Sequence, residues 1–155
     1  MIINNITLIN RINALNNYSE KKLPQKISYA ITKNLVVMGK EYDVYTQLLN
    51  NLLSKYNDDL KHDESGEVVL DATGMPIVNE ECSVAFRREL SDLLGVEINL
   101  DAYIIDENNF DYDDNEGRYD ALSPNDIRIL QSILCNEWFC IIDLRFYDEY
   151  SCKCS

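Results

Sequence analysis

Residues 24–57 read PQKISYAITKNLVVMGKEYDVYTQLLNNLLSKYN and carry an unbroken heptad stripe. Apolar or aromatic side chains fall at Ile31, Leu35, Met38, Tyr42, Tyr45, Leu49, Leu52 and Tyr56, with gaps alternating between 4 and 3. That spacing places them on one side of an α-helix. Pro24 suits the first turn, where a missing N–H costs nothing, and Gly39 lies off the stripe. A helix over the whole stretch would be about 50 Å long at about 1.5 Å per residue. The stripe covers under four heptads and its tyrosines suit a partly wet seam. The reading is therefore a seam against other helices of the same chain, and a monomer rather than an intermolecular coiled coil.

Shorter signals flank it. Ile6, Ile9, Ile12 and Leu15 give a short amphipathic helix that ends near Asn16 and Asn17. Downstream the period changes. Residues 67–70 and 75–78 are β-prone runs around Asp71-Ala72-Thr73-Gly74, which reads as a β-hairpin. Asn79 can cap a returning helix that buries Cys82, Phe86, Leu90, Leu93 and Leu94 and closes at Gly95, with Glu80 and Glu81 complementing its dipole. Residues 96–105 read as an extended segment. Leu122-Ser123-Pro124-Asn125-Asp126 announces another helix, with Ser123 as N-cap, Pro124 at N1 and Asp126 in a capping-box position. That helix carries Ile127, Leu130, Ile133 and Leu134, and residues 138–147 alternate as a half-exposed strand would. The expected fold is α+β and mostly helical. It is one domain over 1–155, in which a β-hairpin joins the long helix to the returning one. Residues 1–105 form the core, 106–122 an acidic loop, and 123–155 a C-terminal helix and strand.

Charge is segregated along this plan. The 155 residues hold 14 Lys and Arg against 27 Asp and Glu, a net of −13. Residues 1–62 carry a net of +3 and residues 63–155 a net of −16. Such a chain is repelled by nucleic acid and anionic lipid and drawn to basic surfaces. No apolar run reaches bilayer length, and MIINNITLINRINALNN lacks the basic opening and cleavage site of a secretory signal. The cytoplasm is the expected compartment, with no membrane partner and no direct nucleic-acid partner.

Catalysis is hard to build from these residues. The single histidine, His62, sits in the polar segment KHDESGE, and the five glycines are scattered singly, so no phosphate loop exists. Five cysteines, an odd count, read as reduced thiols. Cys135, Cys140, Cys152 and Cys154 are spaced unlike the usual structural zinc pairs. No cofactor, no metal and no catalytic residue is expected.

The remaining feature is residues 106–120, DENNFDYDDNEGRYD, with seven carboxylates among fifteen positions. Asp111, Asp113 and Asn115 match the opening of an EF-hand loop. Glu116 then stands where glycine is needed, and Leu122 stands where the bidentate glutamate is needed. If 109–115 is extended, Asp111 and Asp113 share a side about 6.8 Å apart, near the spacing of successive phosphates. A partner-binding surface is then made of Asp106, Glu107, Asp111, Tyr112, Asp113, Asp114, Glu116, Tyr119 and Asp120, the tyrosines serving as anchors for arginine.

Residues 12–56, together with ESGEVVLDATGMPI (64–77) and FRRELSDLLGVEINL (86–100), resemble a family of short, uncharacterised proteins of tailed phages of Gram-positive bacteria. The likeness rests on the segment KLPQKISYAITKN opening the long helix, the glycine-containing turn and the EL-S-DLL-GV-EI stretch. It covers about residues 7–105, and LSPNDIRILQSIL resembles the family's closing helix. The acidic insertion before Ser123 and the tail from Trp138 depart from the pattern. The resemblance implies a phage origin and a helical fold, and it carries over no catalytic residue. The expected function is a phage-encoded, non-enzymatic inhibitor of a basic host defence protein, with a CRISPR-type nuclease as the class of target. The alternative is a virion or assembly accessory protein that self-associates through Tyr42, Tyr45 and Leu49. A metal-dependent enzyme, the third possibility, would need zinc on the C-terminal thiols or a carboxylate metal site.

Overall fold

The computed structural model describes residues 1–72, 76–79, 84–113 and 115–135, apart from the side chain of Asp59. Its elements are β1 (Ile2–Asn4), α1 (Asn5–Asn16), α2 (Gln25–Lys55), α3 (Val84–Gly95), β2 (Glu97–Asn99) and α4 (Pro124–Leu134). The architecture is α+β and mostly helical.

α2 is the axle, 31 residues and about 46 Å long at about 1.5 Å per residue. Pro24 stands at its N-cap rather than within its first turn. Of the heptad stripe, Ile31, Met38, Tyr45 and Leu52 are buried, while Tyr42 is exposed and Leu49 is half-buried. Two hydrophobic clusters sit along the axle. The larger gathers Ile27, Ile31 and Met38 of α2 with Leu8 and Leu15 of α1, Leu100, Phe110, and Leu130 and Leu134 of α4. The smaller packs Leu52 against Leu60 and Phe86, with Leu90 and Leu93 of α3. Tyr56 meets Phe86 edge-on at 5.5 Å, and its hydroxyl donates to Glu89 Oε1 at 2.8 Å.

Three features differ from the sequence reading. In α1 the side toward the core carries Leu8 and Leu15 with Asn5 and Arg11, while Ile6, Ile9 and Ile12 are half-buried. Periodicity assigns polar residues to the outside, yet the Asn5 amide donates to the Leu93 carbonyl at 2.8 Å, which makes its burial tolerable. The N-terminal strand was not expected. β1 pairs antiparallel with β2 with Ile3 opposite Ile98, and the Leu100 N–H extends the pairing to the Met1 carbonyl at 2.7 Å.

The hairpin, too, is more than a hairpin. Leu70 bridges Pro76 as expected, but Leu60 also bridges Val78 and His62 bridges Val68. Lys61 N–H donates to Ile77 O (2.9 Å), Ile77 N–H to Val69 O (2.8 Å) and Val69 N–H to Lys61 O (2.9 Å), which closes a ring of three segments. Three mutually antiparallel segments cannot lie flat, so they cross as single bridges instead of forming a ladder. The polar run Lys61-His62-Asp63 gave no strand signal. Asn79 donates from its side chain to the Leu60 carbonyl at 3.0 Å, tying this cap to the end of α2. The expected turn at Thr73, Gly74 and Met75, the helix start at Glu80 to Cys82, and the C-terminal strand lie outside the described residues.

Between β2 and the acidic segment the chain crosses α2 at Asn34. This side chain is fully buried. Its Nδ2 donates to the Ala30 carbonyl (2.9 Å) and the Tyr103 carbonyl (2.8 Å), and its Oδ1 accepts from the Tyr103 N–H (2.9 Å). One amide thus pairs with both backbone groups of Tyr103. Replacing Asn34 with alanine removes the partner of two partly buried groups of Tyr103, so Asn34→Ala should cost about 1–3 kcal/mol. Urea unfolding followed by circular dichroism measures it, and a loss under half a kcal/mol would show that the bridge contributes little.

Candidate functional site

The acidic segment follows directly from that crossing. Glu107–Phe110 is a short 3-10 turn, not an extended strand. Asp106 caps it by accepting from the Asn108 N–H at 2.8 Å. The turn carries Phe110 into the larger cluster, where burial of such a ring contributes about 1.5–3 kcal/mol. Further on, Asn115, Glu116 and Gly117 have φ of 46°, 58° and 82°, three successive left-handed residues. A non-glycine residue there costs roughly 1–2 kcal/mol, which surrounding bonds must offset. Residues 109–115 are therefore not one extended run, since 109 and 110 belong to the 3-10 turn and Asn115 is left-handed.

What braces the loop is a set of local contacts and one long-range clamp. The Tyr112 hydroxyl donates to the Asp120 carbonyl at 2.8 Å, and its ring meets Tyr119 edge-on at 5.9 Å. The Arg118 guanidinium lies 5.9 Å over the Tyr119 ring. Asp113 Oδ1 accepts from the Asn115 N–H at 2.9 Å, and the Arg118 N–H donates to the Asn115 carbonyl at 3.2 Å. Asp120 forms a reciprocal clamp with Lys22. The Lys22 N–H donates to Asp120 Oδ2 (2.8 Å), and the Asp120 N–H donates to the Lys22 carbonyl (2.7 Å). The loop is thereby fastened just ahead of the N-terminus of α2.

The proposed partner-binding residues accordingly divide. Tyr112 and Tyr119 are half-buried and hold the loop together. Asp106, Asp113 and Asp120 are exposed, but each gives one carboxylate oxygen to a backbone N–H. The side chains of Glu107, Asp111 and Glu116 are exposed and make no hydrogen bond or ion pair among the described residues. Asp114 lies outside those residues. The sequence reading missed Lys22, and only a structure could find it, since the clamp joins positions 98 residues apart.

The loop exits into α4 through the expected capping box. The Ser123 hydroxyl accepts from the Asp126 N–H, and Asp126 Oδ2 accepts from the Ser123 N–H at 3.0 Å. Asp126 Oδ1 also accepts from the Tyr18 hydroxyl at 2.8 Å, and Lys21 stands 4.0 Å away.

Other candidate chemistry gains no partner. His62 Nε2 is 3.0 Å from Asn57 Oδ1, an amide rather than a base or nucleophile. Burial, with Glu107 and Asp106 adding to it, pushes the Cys135 thiol up to about 11, so it stays protonated and poorly nucleophilic at neutral pH. Among the described residues no three His, Cys, Asp or Glu side chains converge as a metal site. No helix among them is long and apolar enough to cross a membrane. A shallow groove between α2 and α3, lined by Leu48, Leu52, Lys55, Glu89, Asp92 and Leu93, carries no catalytic grouping. No family model, curated protein or solved structure matches the chain.

The Tyr18 hydroxyl first, and Ser123 next, hold the Asp126 carboxyl below the usual carboxylate range. A depressed folded value means the bond stabilises fully above the unfolded pKa of about 3.9 and is lost as pH falls through the lower folded one. Urea midpoints measured against pH should therefore drop in acid for the wild type and drop less for Asp126→Asn. Equal acid slopes in the two proteins would show that Asp126 gives no such support.

Proposed function

We propose that this protein is a non-enzymatic acidic inhibitor. It lays the braced loop 106–120 on a basic surface of another protein. The reading extends to a phage-encoded protein acting in the host cytoplasm, with a nucleic-acid-binding defence nuclease of the CRISPR type as the target class. It rests on one observation above the rest: an exposed carboxylate-rich loop is held at Phe110, Tyr112 and Asp120 instead of being left to solvate freely. A loop whose backbone is already braced loses less freedom on docking, so more of the attraction of its carboxylates to arginine and lysine is retained as affinity.

The charge distribution supports the same role. A net of −16 over residues 63–155 favours fast encounter with a basic surface. The side chains of Glu107, Asp111 and Glu116 have no partner among the described residues to give up. The Arg118–Tyr119 contact places a cation beside the anions, which sets a register against a partner and disfavours indiscriminate binding. The resemblance to phage proteins supplies the biological setting. Occupying a groove meant for nucleic acid needs no bond chemistry, only bulk and negative charge.

Surface plasmon resonance against a purified Gram-positive CRISPR-type nuclease, with a DNA-cleavage assay beside it, tests the reading. The wild type should bind and inhibit. Reversing charge at Asp111 and Glu116 together should lower the association rate about tenfold and flatten its dependence on salt. Unchanged affinity and salt dependence in that variant would remove the loop from the site, and absence of binding by the wild type would remove the target class.

A further inference from the structure

The side of α2 that faces away from both hydrophobic clusters carries a second heptad stripe. Lys26, Tyr29, Lys33, Val36, Lys40 and Asp43 follow one another at gaps of 3, 4, 3, 4 and 3, and all six are exposed. Tyr29 is 54% and Val36 56% accessible, large values for such side chains on a helix whose other side builds the core. The segment from Gln25 to Lys40 holds three lysines and no acid in a chain with twenty-seven acids. None of these lysines, nor Asp43, has an ion pair among the described residues.

We infer that this outer stripe is a homodimer interface, in which α2 packs antiparallel against α2 of a second copy about a two-fold axis near Lys33 and Val36. The argument is self-complementarity. In an antiparallel pair of helices each position of one heptad type meets the other type across the seam. Centring the pair between Lys33 and Val36 sets Lys26 opposite the second copy's Asp43, Tyr29 opposite its Lys40, and Lys33 opposite its Val36. Each layer is chemically matched: an ion pair, a cation on an aromatic face, and a lysine stem over a branched apolar side chain. The two-fold repeats all three. A parallel arrangement would instead stack lysine on lysine at every basic layer.

Gly39 gives an independent reason. It sits in the interior of α2 with ordinary helical backbone, and a Cβ there would meet nothing within 4 Å. Glycine inside a helix is destabilising by about 1 kcal/mol relative to alanine, and among the described residues no close contact at Gly39 calls for it. Gly39 lies on the flank of the outer stripe beside Val36 and Lys40, where a missing side chain lets a second backbone come close. The monomer expected from the inner stripe concerns the opposite side of the helix, which the chain's own clusters fill.

The inference stands apart from the acidic loop. The loop lies at the N-terminal end of α2, beyond Lys22, and the dimer uses residues 26–43. Two copies at net −13 repel, so the association is weak and needs the Debye length of about 8 Å at physiological salt to screen it.

Sedimentation velocity at physiological salt across the micromolar range tests it with the full chain. The wild type should show a concentration-dependent dimer. Lys26→Asp alone and Asp43→Lys alone should each weaken it about tenfold, and the double swap Lys26→Asp/Asp43→Lys should restore it. Gly39→Leu should abolish the dimer while raising the melting temperature, which separates a lost interface from a damaged fold. A wild type that stays monomeric throughout overturns the inference, and so does a double swap as weak as the single variants. A monomer whose lysine stripe binds an acidic peptide or a nucleic acid instead would also overturn it.

Discussion

The pairing of the Asn34 side chain with the backbone of Tyr103 is the constraint on which the rest of the molecule depends. A helix side chain here does what a neighbouring strand would do, satisfying an N–H and a C=O of an irregular segment that is otherwise hard to bury. The segment it holds is the crossing point of the molecule. Leu100 bonds to Met1 beside β1, and the Ile105 N–H donates to the Leu134 carbonyl at the end of α4 at 2.8 Å. Asn34 thus fixes the segment to α2 midway between the buried Leu100 and Phe110.

From that fixed crossing the placement of charge follows. The loop leaves the core at Phe110 and returns at the Lys22 clamp, so both its ends are set by packing and hydrogen bonds near the start of α2. The basic N-terminal third and the acidic remainder are thus folded against one another and not strung apart. Even so, the lysines of the outer stripe of α2 and the carboxylates of Glu107, Asp111 and Glu116 find no ion pair among the described residues. The protein presents both signs of charge outward, on separate surfaces, around one helix.

Local signals in the sequence were read well and distant ones were not. The heptad gaps gave α2 nearly to its ends, and Ser123-Pro124-Asp126 gave the start of α4, because both are written within a few consecutive residues. The rotation of α1 was missed because Asn5 and Arg11 are buried, with Asn5 bonded to a residue 88 positions away, and no periodicity announces such a partner. β1 is three residues long, too short for alternation to register. For the acidic segment, composition marked the right stretch, but its conformation was misjudged. Composition gives no sign that Phe110 is a core residue, and left-handed Glu116 breaks the preference of its type.

The three-way ring of Lys61, Val69 and Ile77 bears on how this end of the molecule opens. Each segment donates one main-chain bond and accepts another, so each is held by both of the others. Release of any one breaks two of the three bonds and loosens the cover over Leu60 and Phe86. Opening this end therefore costs two main-chain bonds whichever segment leaves first.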